Sequence, residues 1–515
     1  MPRIATALAA LAVLLLTACA TLPADVPRPP SQAFVDVAGT ELARLSAAAT
    51  PDDRRHLSGF RLLPEAAPAL DARLSLARRA QRSLDVQYYL IADDGTGRAF
   101  LQALHDAAAR GVRVRLLVDD LHVDGAEVRL AALAAQANAE VRLFNPLPAR
   151  GGHLAARLLR SLHDFDRVNR RMHNKLVIAD NAWAVTGGRN IGDEYFMRGD
   201  AANFVDMDLL STGPVVRELS DLFDRFWNSA PSFPIASVAD PGMPWPDTRT
   251  DAPAGPPSPQ AARPALADDP LDAMAADLVF APATLFADAP DKAQPPAGAA
   301  APATAMDSTL QLFRSARDEV LIASPYFIPG PRGLALMREA VDQGVHLAVT
   351  TNSLAATDEP LAYWGYVRYR LDMLKMGVSV SELRPHHPGR SGLSGEFRSS
   401  TSRLHAKLGV VDRRWLLVGS MNMDNRSSRT NTELGLVIDS RALATQVAQW
   451  LQQRWAPSQY RLQLADAGQQ VLWIEPEGDG RGDDALQTHS AEPHVTWLAR
   501  VRLGLLSMFV PEALL

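Results

Sequence analysis

Two stretches of this chain set the same reactive side chains at the same spacing. One reads His173-Asn-Lys175, Leu176 to Ala179, Asp180, then Gly187-Gly188-Arg189-Asn190; the other reads His405-Ala-Lys407, Leu408 to Val411, Asp412, then Gly419-Ser420-Met421-Asn422. An imidazole serves as nucleophile, acid or base near neutral pH. An ammonium and an amide can hold the oxygens of an anion. The apolar run after each lysine reads as a buried strand. Residues i and i+2 of a strand point the same way, which puts each histidine on the face of its lysine. The Gly-Gly or Gly-Ser turn lets backbone approach a ligand, with an asparagine amide beside it. Two such half-sites facing each other suit a phosphate ester. Lysine usage supports this: the chain has four lysines (Lys175, Lys292, Lys375, Lys407) among 52 basic residues, and two of the four sit in the matched motifs. A compact, rotatable ammonium is not interchangeable with a planar guanidinium against a tetrahedral phosphoryl group.

The duplicated pattern resembles the phospholipase D superfamily. The flanking stretches Phe165 to His173 and Asn425 to Glu433 are similar to the bacterial cardiolipin synthase C branch. The likeness runs from about residue 55 to the C-terminus, apart from the linker. It implies an α/β fold of two pseudo-twofold-related lobes, each a mixed β-sheet flanked by helices, with the active site at their interface. It also implies a reaction through a covalent phosphohistidine, with no metal and no cofactor. His173 and His405 would be the reacting pair, Lys175, Lys407, Asn190 and Asn422 the phosphate-binding groups. Asp180 and Asp412 complete the catalytic motif, and we read them as orienting residues. Asp206 and Glu433 each open a strand, and the family pattern has each accept a hydrogen bond from the active-site histidine of its own lobe.

The elements that must position these groups repeat as well. In the first half, a helix over Leu70 to Gln81, a strand over Ser83 to Leu90, a helix carrying Phe100, Leu101, Leu104 and Ala108 up to Gly111, and a strand over Val112 to Val118 form a β-α-β unit. In the second half, Glu319 to Tyr326, a helix lined by Leu334, Met337, Ala340 and Val341 up to Gly344, and Val345 to Thr351 form another. About 80 residues separate each opening strand from its motif histidine. We place lobe 1 at 56–239, a Pro/Ala-rich linker at 240–305, lobe 2 at 306–465 and a C-terminal extension at 466–515. Most of the linker reads as disordered, with an edge strand near Asp277 to Ala281 and no chemistry.

The N-terminus begins Met1-Pro-Arg3, continues apolar from Ile4 to Leu16, and ends Thr17-Ala18-Cys19. That describes a secretory leader over 1–18. Leu16 to Cys19 resembles a bacterial lipoprotein box, with Cys19, the only cysteine, as the lipidated residue. The expectation is a membrane-anchored lipoprotein on the extracytoplasmic face, outer membrane favoured, with residues 19–55 as tether. Net charge is −6, or −7 once a leader bearing Arg3 is removed, 51 basic against 58 acidic residues, which does not advertise a nucleic-acid partner.

Other candidates carry less. Arg150, Arg157, Arg160, Arg167, Arg170 and Arg171 read as a basic rim for anionic headgroups or a solvated helix face. Tyr363, Trp364, Tyr366 and Tyr369 read mostly as core. His386 and His387 sit in a loop, and the stretch from Trp497 to Val510 packs on the core or touches a bilayer. The function the resemblance implies is transfer of a phosphatidyl group from one phospholipid to the hydroxyl of phosphatidylglycerol, giving cardiolipin. The alternatives are a phospholipase D yielding phosphatidic acid, a secreted nuclease, and a lipid-binding lipoprotein without activity.

Overall fold

The computed structural model describes residues 21–123, 125–149, 154–238, 269–294, 303–385, 400–465, 468–475, 487–507 and 510–511. The leader with Cys19, Arg150, His386, His387 and the linker stretches 240–268 and 295–302 lie outside the described residues.

Lobe 1 contributes strands β1 (Ser58–Leu63), β2 (Ser83–Leu90), β3 (Arg113–His122), β4 (Ala139–Phe144), β5 (Leu176–Ala179), β6 (Trp183–Gly187), β7 (Ala202–Val205), β8 (Asp208–Thr212) and β9 (Ser232–Pro234). The linker adds β10 (Val279–Ala281) and β11 (Ala283–Ala287). Lobe 2 contributes β12 (Glu319–Ala323), β13 (His346–Asn352), β14 (Ser379–Leu383), β15 (Thr401–Leu404), β16 (Leu408–Val411), β17 (Trp415–Gly419) and β18 (Leu434–Asp439), and the chain beyond adds β19 (Gln459–Leu464), β20 (Val471–Ile474) and β21 (Thr488–His489). The first sheet is ordered β10-β1-β8-β6-β5-β2-β3-β4-β9, the second β11-β18-β17-β16-β12-β13-β14-β19-β20-β21. Within them β8-β6-β5-β2-β3-β4 corresponds strand for strand to β18-β17-β16-β12-β13-β14. β2, β3 and β4 run parallel, as do β12, β13 and β14, while the motif strands β5 and β16 run antiparallel to β2 and β12.

The helices follow from local signals. The helix Gly95–Ala109 starts where the Asp94 side chain accepts from Gly97 N, buries Phe100, Leu101, Leu104 and Ala108, and stops before Gly111, whose φ of +94° favours glycine. The strands β2, β5 and β16 are buried along nearly their whole length because they lie inside a sheet covered on both faces. One hydrophobic core draws on both lobes: Leu176, Ile178, Leu209, Phe223 and Trp227 pack with Leu321, Leu408, Val418, Leu434 and Leu436. With each fully buried Leu or Phe contributing roughly 1.5–3 kcal/mol, this shared layer fixes the lobes against each other. Separate outer cores lie under the outer helices of each lobe.

The connecting segments carry more order than composition suggested, and the expected edge strand near Asp277 to Ala281 is present as β10. The described part of the tether is packed on lobe 1: Ala33 N donates to Asp224, Arg115 donates to the Ser31 carbonyl, and Arg113 stacks on Phe34 with its guanidinium carbon 3.8 Å from the ring centre. Buried arginines on β3 supply the donors that hold it. The linker is folded over 269–294, where β10 pairs with β1 and β11 pairs with β18, so that one short stretch stitches the outer edges of both sheets. The C-terminal extension continues the second sheet through β20 and β21, and the helix Trp497–Ser507 packs on the helix Pro360–Lys375. That last helix leaves Trp497, Leu498, Val501, Leu505 and Leu506 exposed. Among the described residues no helix is long and apolar enough to cross a membrane.

Candidate active site

Pairing between the lobes brings the two motifs together. β15 runs parallel to β7 with Leu404 opposite Val205, so the next residues, His405 and Asp206, come abreast. The second pairing is the same in miniature. Met172 bridges Thr432 in parallel, His173 N donates to the Thr432 carbonyl at 2.9 Å, and the next residue after Thr432 is Glu433. Each carboxylate therefore meets the histidine of the opposite lobe. His173 Nδ1 lies 3.0 and 3.1 Å from the Glu433 oxygens, and His405 Nδ1 lies 2.7 Å from Asp206 Oδ2. This corrects the expectation of pairing within a lobe. The parallel register of the two bridging segments makes pairing across the lobes the only one in reach.

In both pairs Nδ1 faces a carboxylate, which leaves Nε2 for chemistry, as a lone pair when the ring is neutral and as an N–H donor when it carries a second proton. Edge-on rings fix the imidazole planes: Tyr89 stands 5.0 Å from His173, and Tyr195 stands 5.1 Å from His405. Lys175 Nζ donates to the His173 carbonyl at 2.7 Å, and Lys407 Nζ donates to the His405 carbonyl. Each ammonium is thus tethered to its own motif. Asn190 and Asn422 are buried beside them, each with a side-chain oxygen that has no partner among the described residues.

The two half-sites differ electrostatically. Burial and the neighbouring Lys175, Lys407 and His405 push His173 well below the ordinary imidazole range, so it is neutral. Burial and Lys407 also lower His405, against a hydrogen bond that it donates to Asp206, which raises it. Burial alone would raise Asp206, yet the His405 hydrogen bond and the nearby cations pull it below the usual carboxylate value. Glu433 is raised to about 7 by burial, although Lys175 and the Ser420 and Ser427 hydroxyls favour its ionised form. Burial lowers Lys175 strongly and Lys407 to about 8. An anionic phosphate between the lysines would restore their charge.

The chain's own matches can now be set beside this geometry. Residues 74–227 and 309–455 match the family model described as "Cardiolipin synthase, PLD-like domain". Cardiolipin synthase C of Escherichia coli K12 is 35% identical over 490 residues, covering 92% of this chain and 100% of that protein. The chain belongs to the PLD-like cardiolipin synthase family. Cardiolipin synthase A of Pseudomonas fluorescens Pf-5 is 27% identical over 77% of the chain and 68% of its own length. A crystal structure of phosphatidylserine synthase from Haemophilus influenzae Rd KW20 superposes with a TM-score of 0.53 at 15% identity, covering 81% of this chain and 92% of that one, which shows the shared fold. The protein is an enzyme of the phospholipase D type.

Not every residue of the PLD motif is at the reacting centre. Asp180 and Asp412 cap the far ends of β5 and β16, roughly 16 Å of strand beyond the lysines. Asp180 accepts from the backbone N–H groups of Gln81, Arg82 and Ser83, and Asp412 from those of Arg317, Asp318 and Glu319. Both adopt positive φ, +49° and +51°. They clamp the motif strand to the opening strand and touch neither histidine. Gly188 also has a different use from the one expected. A Cβ there would stand 2.1 Å from Asp206 Oδ1, so the glycine makes room for the carboxylate rather than for a ligand. In lobe 2 the equivalent Ser420 fits because its hydroxyl donates to Glu433 at 2.5 Å.

The basic rim is mostly structural. Arg157 and Arg171 are buried against Asp120 and Asp119, Arg167 pairs with Asp164, and Arg170 donates to the Lys292 carbonyl. Tyr363 and Tyr366 are core, their hydroxyls directed at the buried Glu382. Sequence reasoning missed the support behind Glu433. Ser427 Oγ donates to it at 2.7 Å, and its backbone N donates to Asp288, which Lys292 holds at 2.7 Å while also donating to the Ser427 carbonyl. Asp288 and Lys292 lie in the linker, to which the sequence alone assigned no chemistry. The scarcity of lysine was the one available signal, since Lys292 is a third member of that small set and is buried.

Proposed function

We propose that this enzyme is a phosphatidyltransferase that makes cardiolipin from phospholipids through a covalent phosphohistidine at His173. The observation that carries the reading is the pair of buried histidine–carboxylate couples, one across each lobe junction, with both lysines beside them. Neutral His173 Nε2 attacks phosphorus, and the bond from phosphorus to the leaving alcohol oxygen breaks. His405 Nε2–H gives that oxygen its proton. The hydroxyl of the acceptor lipid then passes its proton back to His405 and attacks phosphorus, which breaks the P–N bond and frees His173. Lys175, Lys407, Asn190 and Asn422 hold the non-bridging oxygens as charge builds. The asymmetry supports this direction. Ionised Asp206 offsets part of the lowering that burial and Lys407 impose on His405, whereas His173 is pushed well below the ordinary imidazole range and is the member of the pair left unprotonated.

The named relatives support phospholipid substrates, and the leader supports lipidation at Cys19 and attachment to the extracytoplasmic face of a membrane, the outer membrane favoured. The test is a lipid mass spectrum from cells devoid of their own cardiolipin synthases that express wild type or His173→Ala. Cardiolipin from wild type alone is the expected result. Phosphatidic acid in its place means hydrolysis, and an unchanged lipid profile from folded protein sinks the phospholipid reading.

A further inference from the structure

Lobe 2 contains a cavity between two helices whose lobe 1 counterparts pack against each other. In lobe 1 the helices Ala66–Arg79 and Gly95–Ala109 pack directly on each other above β2 and β3, with Phe100, Leu101 and Leu104 filling the space. Their counterparts in lobe 2, the helices Ala305–Arg314 and Gly330–Asp342, stand apart around a cavity of about 550 Å³. That lies within the roughly 300–1,000 Å³ range of sites that enclose a small ligand. Its floor is Val320, Ile322, Leu347 and Val349, and its walls include Leu336, Leu310, Phe313 and Ala340; the last three stay half-buried because one side of each packs on the core and the other borders the cavity. An apolar wall left unpacked is a cost unless something apolar fills it.

The rim is charged, and it adjoins the reacting centre. Arg314, Arg332 and Arg429 border the opening together with Glu339 and Asp424. Arg332 faces Asp307 at 3.4 Å, while Arg314 and Arg429 make no ion pair with any described residue. The wall also includes Met423 and Asp424, the two residues after Asn422. Arg429 and Arg426 share the short helix Asn425–Arg429, three residues apart and so on one side of it. Arg426 is close enough to His173 to lower its basicity. That helix therefore borders the cavity through Asn425, Ser428 and Arg429, while its Arg426 lies within electrostatic reach of His173.

We propose that this cavity holds an acyl chain of the acceptor phospholipid, with that lipid's own phosphate at the rim on Arg429 and Arg314. The inference rests on the phosphatidyltransferase reading above. The donor's phosphate must lie between the histidines, so a lipid whose phosphate is held at the rim is not the donor. Phosphatidylglycerol carries its free hydroxyls on a glycerol beyond the phosphate. A phosphate at Arg429 sends that glycerol toward the centre one helical turn away.

The experiment uses full-length protein carrying His173→Ala, so that labelling is independent of turnover, and phosphatidylglycerol with a diazirine on one acyl chain. Photolabel on peptides covering Ala305–Arg314 and Gly330–Asp342, abolished by Ala340→Trp, is the expected result. In the active enzyme, Ala340→Trp raises the KM for phosphatidylglycerol by roughly tenfold or more, since each methylene kept out of an apolar site costs roughly fourfold in affinity. Its cleavage of a soluble phosphodiester without acyl chains stays at the wild-type rate, which also certifies its folding. Arg429→Gln, at an exposed position, raises the same KM without changing the labelled peptides. Label confined to the histidine site leaves the phospholipid reading standing and overturns the cavity assignment. So does an unchanged KM in both variants. Absence of label anywhere overturns both.

Discussion

Glu433→Gln is the substitution that separates orientation from substrate contact. Glu433 sits behind His173, buried, accepting from Nδ1 and from the hydroxyls of Ser420 and Ser427. An amide of the same shape offers one acceptor oxygen and one NH2 where two acceptor oxygens stood. Three donors then compete for one oxygen, and His173 relieves the clash by moving its proton to Nε2. The lone pair that must meet phosphorus is lost. In hydrolytic triads the wrong tautomer lowers kcat by up to about 10⁴, and loss of a hydrogen bond to a charged group alone costs about 1.5–3 kcal/mol. We therefore expect kcat to fall by about 10²–10⁴, equivalent to about 2.7–5.4 kcal/mol at 1.36 kcal/mol per decade. KM should change little, because Glu433 does not face the substrate. The assay is steady-state transfer between labelled phospholipids, with urea denaturation confirming that the variant is folded. A kcat within about threefold of wild type, well under one decade of barrier height, would refute the role assigned to Glu433 and with it the pairing across the lobes.

The other predictions concern support, linker and pH. Asp180→Ala or Asp412→Ala removes an acceptor for three backbone N–H groups, so each should lower unfolding free energy by about 3 kcal/mol. The kcat of the folded fraction should stay near wild type; a large loss of kcat without loss of stability would return these aspartates to the reacting centre. Lys292→Ala leaves Asp288 unpaired at 1% exposure and should cost roughly 3–5 kcal/mol, measured by denaturation, with a drop in activity because Glu433 loses its anchored backbone. The kcat/KM profile should be a narrow bell. Activity falls as pH drops through about 7, where Glu433 takes up a proton and no longer accepts from His173. It falls again as pH rises through about 8, where Lys407 loses its charge. A profile flat from pH 6 to 9 would contradict that assignment.

Much of this architecture was legible because duplication doubles every signal. The strands Leu176–Ala179 and Leu408–Val411 lie where the apolar runs put them, and β2 spans Ser83–Leu90 as read. The histidines, lysines and asparagines converge as their spacing implied. What escaped the sequence is what depends on the other lobe. Asp206 and Glu433 are in the right place on their strands, but which histidine each meets is decided by the register of β7 on β15 and of Met172 on Thr432, pairings more than 190 residues apart in the chain. The motif aspartates read as orienting residues, without a sign of what they orient. Only the turn geometry shows them capping strand ends. The linker read as mostly disordered with one edge strand, and the order of its described part, 269–294, comes from the two sheet edges it covers. The arginines before the first motif looked like surface charge because burial of a paired guanidinium leaves no trace in local pattern.

The most direct test of the account is to locate the covalent intermediate. Enzyme mixed with a phospholipid donor and quenched in alkaline denaturant within one turnover should carry a phosphatidyl group, mapped by peptide mass spectrometry to His173. In Glu433→Gln the adduct should disappear, although that residue lies in the other lobe. An adduct on His405 would reverse the roles assigned here, and turnover with no adduct on either histidine would contradict the covalent mechanism.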